Sequence, residues 1–189
     1  MREVLISIQP KWCELIANGK KTVEVRKTRP KIDVPFKCYI YCTNSKDMLW
    51  ILMKKERFSE KIASIFTAKD VGGATKANGK VIGEFVCDSI MPYCRYEIVS
   101  GVSEAGFEEL TRATQLSRKE LYEYCGEKDI YCWHISDLVI YEQPKELSEF
   151  INYDRCPYGG MVDCNKCGEH HCLKRPPQSW CYVKGGGEG

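Results

Sequence analysis

An α+β fold, built on a small and mostly antiparallel β-barrel with peripheral helices, is what this chain predicts. Two observations carry it. Five or six short alternating or β-branched runs are spread over the first 150 residues. The few helical stretches between them are not enough for a large parallel sheet, so a small barrel is the economical way to bury the strands. A third observation sets off the C-terminus: of twelve cysteines, five (Cys156, Cys164, Cys167, Cys172 and Cys181) fall in the last 34 residues.

Residues 4–8 form a short β-branched run and read as a buried strand. Pro10 suits the first turn of a helix whose apolar face is Trp12, Leu15 and Ile16, and Gly19 is its stop. Residues 22–26 alternate, with Val23 and Val25 on one side and Thr22, Glu24 and Arg26 on the other. A loop follows, and residues 36–42 alternate again. Residues 47–58 place Leu49, Leu52 and Met53 at helical spacing. Residues 63–79 lack periodicity and carry Gly72-Gly73 and Asn78-Gly79, so they read as loop. A strand is expected from residue 80 to 86, running on toward Met91, and another over residues 93–99. Residues 103–113 read as a helix, and Ser117 with Glu120 matches a capping box opening a second one that ends at Gly126. Two strands, residues 130–135 and 138–141, join at Ser136-Asp137, and a short helical turn follows over residues 144–150.

Composition narrows the function classes. The chain has 189 residues, 43% apolar and 29% charged, which fits a globular protein with a real core. No apolar run approaches the roughly 20 residues that span a bilayer. The N-terminus lacks a secretory layout, so a cytoplasmic location is expected. There clustered cysteines point to metal rather than disulfides. The scattered ones (Cys13, Cys38, Cys42, Cys87, Cys94, Cys125, Cys132) act as small hydrophobes.

Charge is uneven. Residues 20–31 hold six basic side chains and one acid, although the formal net charge is only +2. Such an edge suits a polyanion or nucleotide. Glu24 and Arg26 share a strand face and can pair or read a polar ligand, and Arg26 can take a phosphate or base edge bidentately. Lys21 stands at the strand mouth, where a flexible amine can swing into a cleft. Lys20, Lys27, Arg29 and Lys31 would supply salt-dependent phosphate contacts. Trp12, Tyr39, Tyr41 and Trp50 are candidate stacking platforms. The competing reading is a solvated basic face with a structural Glu24/Arg26 pair. His134, between Trp133 and Ile135, reads as a core or edge histidine.

Gly19, Lys21, Glu24 and Arg26 fit the pattern G-x-K-x-x-E-x-R, which resembles the signature of ASCH domains, a branch of the PUA-like superfamily. Residues 4–10, 36–42, 79–85 and 116–135 are similar, in order, to the family's further segments, so the resemblance covers roughly residues 2–150. It implies a PUA-like β-barrel, a cleft beside the signature strand, and binding of RNA or a modified nucleoside through Lys20, Lys21, Glu24, Arg26, Lys27 and Arg29. Some small members are amidohydrolases on acetylated cytidine, using a lysine, a threonine and a later glutamate. The lysine maps onto Lys21. Glu24 stands at the threonine position, and the later glutamate falls near Arg112-Ala113, with Glu108 and Glu109 nearest. Another branch is ribonucleases. If the chain is an enzyme, Lys21 and Glu24 are the catalytic candidates.

Cys164-Asn165-Lys166-Cys167-Gly168 is a C-x-x-C-G knuckle, whose spacing turns two thiolates toward one tetrahedral ion. Cys156 and Cys172 complete the set, with His170, His171 and Cys181 as alternates. Zinc is the expected metal, because thiolate-rich closed sites favour it. It would staple a segment too small for its own core, or form a knuckle that also touches nucleic acid. Residues 175–183 read as a strap packing Trp180 onto the barrel. The expected organisation is a barrel domain over residues 1–150, a zinc-knuckle extension over 151–184, and a disordered glycine-rich tail over 185–189. The ending also resembles those of phage and prophage ASCH-like proteins. Two alternatives to a binding module stay open: a hydrolase with Lys21 at its centre, and a phage-encoded factor that binds a host protein.

Overall fold

Leu5 and Ile6 of β1 (Glu3–Ile8) are fully buried, and the strand lies inside a sheet with neighbours on both sides. The computed structural model describes residues 2–55, 61–66, 74–98, 103–152 and 171–184. After β1 come α1 (Pro10–Ala17), β2 (Val23–Arg26), β3 (Phe36–Cys42), β4 (Trp50–Lys55), β5 (Lys61–Phe66) and β6 (Thr75–Lys76). Then follow β7 (Val81–Cys87), β8 (Ile90–Tyr93), α2 (Glu104–Thr114), α3 (Arg118–Cys125), β9 (Ile130–His134) and β10 (Ser136–Lys145). A 3-10 turn at Leu147–Glu149 leads to β11 (Ile151–Asn152), and β12 (Trp180–Lys184) closes the described chain.

The mixed α+β class is as expected, but the strands form three sheets and no closed barrel is seen among the described residues. The largest has the order β10-β7-β3-β1-β12-β11. Within it β1 and β3 run parallel, linked through α1 and β2, and the other pairs are antiparallel. A second sheet, β2-β9-β8, shares with it a core of Val4, Ile6, Ile40, Phe85 and Trp133. The third has the order β5-β4-β6 and contributes Ile51 to the same core. The expected run from β7 toward Met91 breaks at Asp88 and Ser89. There the Ser89 carbonyl accepts from His134 N at 3.0 Å, and the chain leaves the first sheet for the second.

Two expectations fail on local grounds. Residues 47–55 are not helical: β4 pairs with β5 from Trp50↔Phe66 to Lys55↔Lys61, and with β6. Residues 56–58 of that expected helix lie outside the described residues. Of residues 63–79, read as loop, 63–66 belong to β5 and 75–76 form β6, while 67–73 lie outside the described residues. Leu49 and Ile51 are both buried, a period of two that tertiary pairing favours over the helical spacing. Asn78 pins the start, its Oδ1 accepting from Leu49 N at 2.8 Å while its amide donates to Asp47 O at 2.9 Å. The expected strand over residues 93–99 is only the end of β8 followed by a helical turn. The Glu97 carboxylate closes that turn by accepting from Cys94 N at 2.7 Å. Residues 99–100 lie outside the described residues.

The helices match their signals. Gly19 is left-handed at φ 68° and ends α1. Ser103 caps α2 by accepting from Gly106 N, and the Ser117/Glu120 capping box opens α3. The terminal strap is part of the main sheet: β12 pairs antiparallel with β1, from Glu3↔Val183 to Ile6↔Trp180.

The buried cysteines make stability fall in alkali. Burial pushes the Cys87 and Cys132 thiols up to about 12 from an ordinary 9.0, and raises Cys13 and Cys38 well above it. Unfolded thiols ionise near 9.0, so between pH 9 and 12 the folded state binds more protons and stability declines as pH rises. Lys21, whose pKa is lowered, pulls the other way by a single proton. The urea midpoint is expected to be lower at about pH 10.5 than at about pH 8; an equal or higher midpoint contradicts this.

Candidate functional site

The signature residues are organised by the end of α1. The carbonyl of Leu15 accepts from both Lys20 N and Lys21 N, at 2.9 and 3.0 Å, so the chain turns sharply at Gly19. This places Lys21 and Thr22 against the C-terminus of α2. Thr22 N donates to Ala113 O at 2.9 Å, and Lys21 Nζ donates to Thr114 O at 2.8 Å. A cation at the carbonyl end of a helix satisfies unpaired acceptors and meets the favourable end of the helix dipole. The same ammonium donates to Val23 O at 2.8 Å and lies 3.4 Å from Glu24 Oε2.

Lys21 is thus only 3% exposed, and its three donors meet three acceptors. It does not swing in a cleft. Burial pushes its pKa below the ordinary 10.5, and the Glu24 carboxylate only partly offsets that. A neighbouring carboxylate such as Glu24 would by itself favour the charged amine; burial is what sets the direction.

Glu24 is 7% exposed, and its second oxygen, Oε1, lies 3.0 Å from Arg26 Nη2. That same Nη2 donates to Ser7 O at 2.7 Å, while Arg26 Nε is buried with no hydrogen-bond partner. Ammonium, carboxylate and guanidinium therefore form one contiguous network.

All three line a single cavity of about 560 Å³. Trp12 and Gln9 contribute from the entry to α1, and Lys21 Nζ stands 5.3 Å from the Trp12 ring centroid. A further wall is one face of α3, with Glu120, Glu123 and Tyr124. Pro177 and Gln178 add a wall from the C-terminal strap. Sequence reasoning missed these last two walls. A signal for the first existed, because Leu116, Glu120, Glu123 and Tyr124 recur at helical spacing from the capping box. Nothing in the sequence tied residues 177–178 to the signature.

Other candidates lie elsewhere. Lys20, Lys27 and Arg29 are exposed and do not line the cavity, though Lys27 Nζ sits 5.2 Å from the ring centroid of the lining Tyr124. Lys31 N donates to the Tyr182 hydroxyl at 2.5 Å. Tyr39 and Tyr41 are 5% and 4% exposed and pack in the core, so they are not stacking platforms. Trp50 lies outside the cavity, and so do Glu108 and Glu109, which are exposed on α2. His134 ends β9, the central strand of the second sheet, with its Nδ1 2.7 Å from Asp88 Oδ1.

Of the expected metal ligands, Cys156, Cys164, Cys167 and His170 lie outside the described residues, as do residues 185–189. His171 is buried, and Cys172 bridges Ile151. Cys181 sits in β12 opposite Leu5 and packs against the cluster of Leu5, Phe150 and Val183. No group of three or more His, Cys, Asp or Glu able to hold a metal is found among the described residues. No helix among them is long and apolar enough to cross a membrane.

Fold and site together define a mixed α+β protein with a cavity, lined by charged and apolar side chains, where a helix–turn–strand motif abuts a second helix. The chain belongs to the ASCH domain family, whose model matches residues 6–146. Its fold is similar to the crystal structure of ASCH from Zymomonas mobilis, with a TM-score of 0.54 at 18% identity, covering 96% of this chain and 87% of that one. Two single-substitution variants of that protein give the same TM-score of 0.54, at 18% and 17% identity; each alignment spans 96% of this chain, and 90% and 88% of theirs. At such identity the likeness is one of fold. No curated protein matches the chain.

Proposed function

We propose that the cavity holds one unpaired nucleobase with its sugar, as a free modified nucleoside or within single-stranded RNA. Phosphates of an RNA would follow the exposed basic segment outside it. The observation that carries this reading is the charge balance of the lining. Two cations, Lys21 and Arg26, meet three carboxylates, Glu24, Glu120 and Glu123. Such a wall disfavours a phosphate and suits an uncharged ring rich in donors and acceptors. Trp12 and Tyr124 offer faces for stacking. The volume is in the range of small-molecule sites. The buried, unpaired Arg26 Nε is the kind of exception that calls for a functional explanation.

A hydrolase would need Lys21 as nucleophile or base. Burial lowers its pKa in the useful direction, yet the amine is held by two carbonyls and a carboxylate. Binding is therefore the reading the geometry favours.

Titration calorimetry with nucleosides, including acetylated cytidine, and fluorescence anisotropy with short labelled RNA test it. Nucleoside binding should change little with salt, and RNA binding should weaken as salt rises. Arg26→Lys keeps the charge but loses the planar guanidinium, whose donors extend beyond the Nη2 that already holds Glu24 and Ser7; it should weaken both by about tenfold. No binding of either ligand overturns the proposal.

We also propose that zinc is bound through Cys156, Cys164, Cys167 and Cys172, with His170 and His171 as alternates. The spacing supports it, and the packing of Cys181 argues against that residue as a ligand. Metal analysis of purified protein should give about one zinc per chain, and less than half an equivalent removes the staple.

A further inference from the structure

We propose that the C-terminal strap forms a base-reading subsite of the cavity, with Gln178 contacting the hydrogen-bonding edge of the bound nucleobase. This rests on the proposal that the cavity takes a nucleobase.

The strap is fastened, not merely adjacent. Ser7 N donates to Ser179 O at 2.9 Å, and Ser7 Oγ donates to Pro177 O at 2.7 Å. The carbonyl of the same Ser7 accepts from Arg26 Nη2. One residue of β1 thus joins the signature arginine to the strap on both sides of Gln178. Beyond it, Trp180 Nε1 donates to Thr28 Oγ1 at 3.0 Å, and its ring lies 6.1 Å from that of Trp133. These bonds fix the backbone on either side of Gln178, an exposed residue that lines the cavity.

The chemistry of the two walls differs. Glu24 is spent on Lys21 and Arg26, and both Arg26 contacts use Nη2. The Gln178 amide carries a donor and an acceptor side by side, the pair that reads neighbouring positions on a base edge. The signature wall would position the nucleoside, and the strap would select the base. The family match ends at residue 146, so this selecting wall lies outside the matched segment.

Anisotropy with labelled oligo-A, oligo-C and oligo-U tests it on the full chain, comparing wild type, Gln178→Ala, Gln178→Glu and a control, Gln143→Ala, on exposed β10. Wild type should favour one base. Gln178→Ala should narrow the ratio of best to worst affinity by about tenfold, and Gln178→Glu, which loses the donor, should reorder the bases. Gln143→Ala should match wild type. If wild type shows a preference that both Gln178 variants keep, the subsite is overturned while nucleobase binding stands. If wild type binds without preference, the subsite is likewise overturned. If wild type binds no RNA and no nucleoside, both readings fall.

Discussion

Lys21→Ala is expected to lower folding stability by about 3–5 kcal/mol, because it breaks a buried, paired charge. The substitution strands Glu24 at 7% exposure with only Arg26, and removes the donor to Val23 O and Thr114 O. It also takes the cation from the end of α2. Urea unfolding measures it; a loss under about 1 kcal/mol would mean that the ammonium is not seated as described. This bears on function. Loss of ligand binding in Lys21→Ala cannot by itself distinguish a ligand contact from collapse of the network. Arg26→Lys and Gln178→Ala leave the Lys21 contacts in place and are the informative variants.

Trp133→Ala is expected to cost about 3–5 kcal/mol as well, by a different route. The indole is fully buried, with ring centroids 5.9 Å from Phe36 and 6.1 Å from Trp180. It therefore joins β9 to β3 and to the strap. Its removal leaves a void where the second sheet meets the first, and weakens the seat of the segment that carries Gln178. Trp133→Phe should cost much less, since the indole Nε1 has no hydrogen bond to lose. Equal losses in the two variants would contradict this account.

Helix boundaries were legible because their signals are local. Gly19, Ser103 and the Ser117/Glu120 box each act within one turn of chain, and each lies where expected. The signature strand was legible through its alternation. Residues 47–79 were not, because Leu49, Leu52 and Met53 satisfy a helical period while pairing with residues 61–66 and 75–76 imposes a strand. Tyr39 and Tyr41 looked like ligand platforms because alternation does not say which face of a strand is covered. The closure expected of a barrel is also not seen among the described residues, where β8 and β9 pair with β2 in a separate sheet.

The sequence by itself determined the family, the helix caps, and the residue types that meet at the signature: an amine, a carboxylate and a guanidinium within six positions. Their roles came only with the folded chain. Burial beneath the end of α2 turned Lys21 from a mobile contact into a fixed one and lowered its pKa. The other two walls come from α3 and from residues 177–178, more than 90 and 150 positions away. Side-chain chemistry is carried locally, whereas desolvation and the closing of a cavity depend on which distant segments pack together.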